Sequence, residues 1–392
     1  MDLAEFRSQF PALRTRAYLF AGALTPAARP VRAAWDDWTG SWEYDPNFVY
    51  TGPMMTGRMD ELRTAFGRLI GGDPASVTLT DNTCRASNIA VGILGARPGS
   101  NVVVDDGTYP SSVYPWRAHE NREVRLVHTD GVADAASLIA EQVDDETTAV
   151  CITHVAPFTG RRHDLRALAE VCHAKNALLM VDAAQTTGVV PIDVVAEGID
   201  MLVTTGMKWL LGLPGVGYLY VAPDVLAEAP VLDVGYLGLD TTLGVWPVDE
   251  LPGILPDGRR YELGMPSLPA LAACTAGIEL LMDVGFDAIF AQSERLVTRV
   301  LEGLAERGRG DDILTPLDPA QRAGVIALRS DDPVAEFERC RNVGVDIGAI
   351  IGSLRIDPHG YNDDDDIDRL LTCFYVPRGG SSRTSRVLRS GA

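Results

Sequence analysis

Residues 178–219 read LLMVDAAQTTGVVPIDVVAEGIDMLVTTGMKWLLGLPGVGYL, and in this stretch an acid, an amide and a lysine stand where apolar runs end. Leu178-Leu179-Met180-Val181 is short and continuously apolar, the pattern of a strand buried on both faces of a parallel sheet, so Asp182 falls at its carboxyl end. Met201-Leu202-Val203 is a second such run, followed by Lys208, and the spacing between the runs predicts one helix-length crossover. Outward from this stretch, further strands are predicted at Ser76–Thr80, Asn101–Asp105, Arg125–Val127, Thr148–Thr153 and Val216–Val221, with helical stretches between most of them. Strands alternating with helices imply an α/β fold, here a mainly parallel seven-stranded sheet with helices on both faces. The last strand follows Lys208 too closely for a helix to intervene, so it is expected to pair antiparallel.

The 392 residues, 46% hydrophobic and 22% charged, suffice for a large core and one smaller domain. No apolar run approaches the roughly 18 residues that span a bilayer, and the start, Met1-Asp2-Leu3-Ala4-Glu5, carries acids where a secretory signal carries bases. A cytoplasmic protein is the expectation. Thirty-four Lys and Arg against 54 Asp and Glu give a formal charge of −20, which argues against nucleic acid or an anionic membrane as partner. The six cysteines show no metal-type spacing and read as buried thiols, so no metal site is expected.

Val181-Asp182-Ala183-Ala184-Gln185 and Thr204-Thr205-Gly206-Met207-Lys208-Trp209 resemble the two signature stretches of the class V aminotransferase family. These are fold type I enzymes that use pyridoxal phosphate, and they include cysteine desulfurases, isopenicillin N epimerase-like proteins and several C–S lyases. The resemblance runs from Phe10-Pro11-Ala12-Leu13 to Arg355-Ile356-Asp357-Pro358-His359-Gly360-Tyr361-Asn362. It implies an amino-terminal segment (1–48) that passes the active site and joins a small domain, and a large cofactor-binding domain (49–266). A smaller α+β carboxyl-terminal domain with its linking helix (267–377) would follow, and then a flexible basic tail (378–392). It also implies a homodimer with its sites at the subunit interface.

The chemistry of the cofactor assigns roles to the residues that match. Lys208 would form the Schiff base with the aldehyde, its apolar neighbours Trp209, Leu210 and Leu211 favouring burial and a lowered pKa; the other reading is a solvated surface lysine. Asp182 would keep the ring nitrogen protonated and Gln185 would donate to the ring's phenolic oxygen, against the plainer readings of a helix N-cap and a surface amide. Asp81 to Asn88 follows a strand and opens a helix, whose first amides make a phosphate seat. Thr83, Cys84 and Thr205 occupy the family's phosphate-contacting positions, with plain capping by Asn82 or Thr83 as the alternative. Tyr109 falls where the family stacks a ring on the cofactor, with core packing as its alternative. Arg355 matches the arginine that clamps the substrate α-carboxylate, with a structural salt bridge to a nearby acid as the alternative. His154 and His359 read as structural.

Several positions depart from the cysteine desulfurase pattern. Met207 replaces a histidine, Pro157 an asparagine, and Met265 a threonine that reaches the partner's phosphate, which removes polar contacts and opens apolar space. Val343 to Leu354 contains no cysteine, although a desulfurase needs a thiolate there to attack the substrate sulfur. Cys340 lies just upstream on an expected helix. The expectation is therefore a lyase that eliminates the β-substituent of a cysteine S-conjugate. Transamination, epimerisation and oxidative or decarboxylating deamination are the alternatives on the same residues, and a catalytically silent cofactor-binding regulator is the rival from another class. A nucleotide-dependent dehydrogenase is disfavoured, because Asp81 to Asn88 holds no glycine.

Overall fold

Along the strands of the computed structural model successive side chains fall on opposite faces of the sheet, and the apolar runs of the chain use both. Val102, Val104, Met180, Met201 and Leu219 enter one core, while Val103, Leu179, Val181 and Leu202 enter the other. The structure describes residues 1–49, 52–95, 99–118, 122–129, 131–132, 134–241, 247–350 and 352–374. The basic stretch 378–392 lies outside them.

Strand β1 (Ala17–Tyr18) stands apart from the central sheet. β2 (Val77–Thr80), β3 (Asn101–Asp105), β4 (Glu123–Val127), β5 (Thr147–Thr153), β6 (Leu178–Asp182), β7 (Met201–Thr205) and β8 (Gly217–Val221) form that sheet. Its order is β2-β8-β7-β6-β5-β3-β4. β8 pairs antiparallel with both of its neighbours, and the other pairings are parallel. The helix Thr83–Leu94 covers one face with Ala86, Ile89, Ala90 and Val91. Leu165–His173 covers the other with Leu165, Leu168, Ala169 and Cys172, beside Leu268–Val284.

The helix expected between β6 and β7 is absent. Residues 183–200 run as turns, and the sequence contains the reason. Gly188 adopts a φ of 106°, far from helical values, and Pro191 follows the β-branched pair Val189 and Val190.

Beyond the helices Leu268–Val284 and Phe286–Glu306, β9 (Ile326–Arg329), β10 (Val345–Asp346), β11 (Gly348–Ile350) and β12 (Ser353–Ile356) build a second core. β11, β12 and β9 form an antiparallel sheet in that order, and β10 pairs in parallel with β1 near the amino terminus. Arg7 bridges Asp363 and Asp366 at the start of the helix Asp364–Thr372, which further ties the two ends of the chain together. Among the described residues no single helix is long and apolar enough to cross a membrane.

Candidate active site

Parallel strands deliver their carboxyl ends to one edge of the sheet, where ligands of open α/β sheets bind. Thr153, Asp182 and Thr205 are the last residues of the neighbouring strands β5, β6 and β7, and all three line one cavity of about 220 Å³. Thr83, Cys84, Tyr109, Gln185 and Lys208 line it too, so the cofactor-site residues expected from sequence converge. Arg355 is not in its wall; it reaches this region through Gln185.

Asp182 is fully buried on the cavity floor, where burial pushes its carboxyl up. Its two oxygens accept from Ser112 Oγ at 2.8 Å and from the Ala184 amide at 3.0 Å, bonds that favour the ionised form. No helix follows it, so the N-cap reading fails. Lys208 is lowered to about 8, first by burial, with Asp182 opposing the shift and Arg355 adding to it. It is not a solvated surface lysine. Its Nζ lies 5.7 Å from the centre of the Tyr109 ring. That ring is 42% exposed and 6.3 Å from Phe158, so Tyr109 packs at the cavity rather than in a core.

Asn82 is the N-cap of the helix Thr83–Leu94, its side chain accepting from the Arg85 amide. Thr83 and Cys84 occupy the first two helical positions, whose amides have no acceptor within a helix. Capping by Asn82 therefore leaves these first amides open, a geometry that suits an anion. Five cysteines are buried, but Cys84 is exposed, against the expectation of six buried thiols. Met207 and Pro157 line the cavity as apolar wall. Met265 lies elsewhere, in the wall of a separate cavity of about 390 Å³ with Asp81 and Arg85.

Gln185 is not a surface amide; it is 3% exposed. Its Nε2 donates to the Gly22 carbonyl, and its Oε1 accepts from Trp209 Nε1 at 3.0 Å and from Arg355 Nη2 at 2.7 Å. Arg355 Nε also donates to Asp357 Oδ1 at 2.9 Å, so the arginine holds the salt bridge considered for it as well as its place near the site. Buried His154 is lowered to about 3 by desolvation, and His359, lowered to about 4, stacks on Tyr361. Both are neutral packing groups at physiological pH.

Sequence reading missed Ser111, Ser112 and Asp357. Among the described residues Ser111 Oγ is buried without a partner, and it lines the cavity, an orphan polar atom of the kind a bound ligand satisfies. It also missed a pair beside the site. His163 Nε2 lies 2.9 Å from Asp105 Oδ2. Burial raises that carboxyl, but bonds from His163, Thr108 and Thr129 outweigh it and leave the pKa lowered. A buried acid facing a buried amine, an orphan hydroxyl and an open helix end fit pyridoxal phosphate. Lys208 would hold its aldehyde carbon, Asp182 its ring nitrogen and the Thr83–Cys84 turn its phosphate.

The sequence pattern of the aminotransferase class-V family matches residues 17–335. An uncharacterized aminotransferase of Bacillus subtilis, YcbU, is 27% identical over 91% of this chain and 93% of its own. A probable cysteine desulfurase of Methanothermobacter thermautotrophicus is 30% identical over 74% and 72%. The isopenicillin N epimerase of Streptomyces clavuligerus is 28% identical over 79% and 82%. Among solved structures, the cystine C–S lyase C-DES in complex with cysteine persulfide superposes with a TM-score of 0.84 at 22% identity, covering 93% of this chain and 99% of that one. The apo cysteine desulfurase of Thermococcus onnurineus superposes with the same TM-score at 21% identity, over 94% and 96%. With a strand-end acid, a buried lysine and a family match over most of its length, this chain belongs to the class V aminotransferases and is a pyridoxal-phosphate enzyme of fold type I.

Proposed function

We propose that the protein is a lyase that eliminates the sulfur substituent of a cysteine S-conjugate, with its site completed in a homodimer. The observation that carries the reading is the placement of Lys208 and Asp182 in one cavity, while the segment Val343 to Leu354 that leads to Arg355 contains no cysteine. When bound, the cofactor supplies an electron sink for the pair released at the substrate α-carbon. Lys208, lowered to about 8, is partly neutral near physiological pH and so can take the α-proton and return it. Asp182, fully buried, would set a negative charge against the ring nitrogen where screening by solvent is weak and that charge acts strongly. Arg355 holds the substrate carboxylate, which fixes the bond presented to Lys208. Tyr109 offers a flat face at the cavity mouth.

Balanced, the reaction breaks the Cα–H and Cβ–S bonds, consumes water and yields a thiol, pyruvate and ammonia. Persulfide transfer through Cys340 is disfavoured by that thiol's surroundings. Cys340 is fully buried, and its hydrogen bond with Cys373 pushes its pKa up. The test is to incubate holoenzyme with S-methyl-L-cysteine and quantify pyruvate, ammonia and methanethiol, with mass spectrometry of Cys340 after exposure to free cysteine. Equal pyruvate and thiol with an unmodified Cys340 is the expected result. A 2-oxo acid that keeps its sulfur would establish transamination, a D-amino acid epimerisation, and a persulfide on Cys340 desulfuration.

A further inference from the structure

Four hydrogen bonds close a ring beside the cavity. The Gly22 amide donates to Asp357 Oδ2 at 3.1 Å, and Arg355 Nε donates to Asp357 Oδ1 at 2.9 Å. Arg355 Nη2 donates to Gln185 Oε1 at 2.7 Å, and Gln185 Nε2 returns to the Gly22 carbonyl at 3.2 Å. The members come from three parts of the chain: the loop after β1, the loop after β6 that lines the cavity, and β12 with the residue that follows it. Phe20, two residues before Gly22, places its ring 5.8 Å from the guanidinium carbon. Among the described residues Arg355 Nη1 has no partner, so the inner edge of the fork is tied and the outer nitrogen is free.

We propose that Gly22 and Asp357 are positioning residues for substrate recognition, closing this ring so that the outer edge of Arg355 faces the substrate carboxylate. The inference rests on the assignment of Arg355 to that carboxylate. Three features support it. Asp357 is fully buried, and a buried ion pair contributes little net stability, so its value here lies in arrangement. Both of its oxygens accept, which an asparagine cannot reproduce, because one of its two polar atoms would turn N–H toward a donor. Gly22 leaves room for the fork: a Cβ there would sit 1.9 Å from Arg355 Nη2 and 2.5 Å from Gln185 Oε1. Its φ is outside the left-handed region, so alanine fits the backbone and strikes only the ring.

The test compares two probes that differ by one carboxylate, S-methyl-L-cysteine and 2-(methylthio)ethylamine, titrated into holoenzyme by visible absorbance. Gly22→Ala and Asp357→Asn should keep the cofactor band. Each should raise half-saturation for the amino acid by about tenfold or more and leave that for the amine within about twofold, as expected for loss of an aimed charge-assisted contact. Unchanged amino-acid binding, or an equal loss for both probes, would overturn the proposal. Arg355→Ala run in parallel separates the two ideas. If it keeps the preference for the amino acid, the assignment of Arg355 itself fails; if it loses the preference while the two variants do not, the ring has no positioning role. Should Asp357→Asn not fold, Gly22→Ala decides alone, since it removes no polar group.

Discussion

At the residue scale, burial and charge set the behaviour of Lys208. Its pKa falls from an ordinary 10.5 to about 8 because burial disfavours the ammonium more than Asp182 favours it. Below that pH the amine is charged and cannot attack an aldehyde; above it the amine is free. In the apo-protein, the rate of covalent capture of pyridoxal phosphate should therefore rise through pH 8 and level off before pH 10, as followed by stopped-flow absorbance. A rate still climbing at pH 10 would mean an unshifted lysine. The linkage runs the same way: between about 8 and 10.5 the unfolded chain binds the proton more readily, so this group favours the fold increasingly as pH rises across that window. For Asp182, the expected outcome of Asp182→Asn is a holoenzyme that turns over on the order of a hundredfold more slowly or worse, since an amide carries no charge to set against the ring nitrogen. Steady-state rates at equal cofactor occupancy check it, and near-native turnover would show that the ring is activated by another group. Asp182 and Lys208 were legible because each follows an apolar run. Ser112 was not, because its bond to Asp182 joins residues 70 apart in sequence.

At the scale of elements, the loop that carries Lys208 is held by the helix Leu268–Val284. Gly277 on that helix lies so close that a Cβ would come within 2.7 Å of the Leu210 carbonyl, and Gly212 faces Cys274 of the same helix. Two effects oppose each other in Gly277→Ala. Helix propensity favours alanine by about 1 kcal/mol, whereas overpacking against backbone that cannot yield costs about 1 to 3 kcal/mol. The clash should win, lowering the apo-protein's melting temperature and weakening cofactor retention together. Thermal unfolding with and without cofactor measures both, and a stabilised variant with normal retention would show that the loop is not braced this way. The antiparallel β8 was readable from the few residues between Lys208 and Val216. The spacing of residues 183–200 suits a helix, but Gly188 and Pro191 in the same stretch turn the chain instead.

At the scale of the molecule, the chain presents Trp42 and Tyr44, 58% and 84% exposed, at the end of the helix Arg29–Tyr44, and its cavity mouth leaves Tyr109 and Phe158 partly uncovered. A homodimer would cover such surface, and sedimentation equilibrium of the holoenzyme should return twice the mass of the chain; a monomer that is fully active would remove the partner from the site. The sequence by itself determined the strand sequence of the central sheet and its α/β class, and it marked the acid and lysine of the candidate site, because apolar runs, the polar residues that follow them and the two signature stretches are local patterns. Only the tertiary structure decided that Arg355 is tied to Gln185, that Gly22 must lack a side chain, and that His163 faces Asp105. Those contacts join segments far apart in the chain, and no local periodicity records which strand end the fold will bring against another.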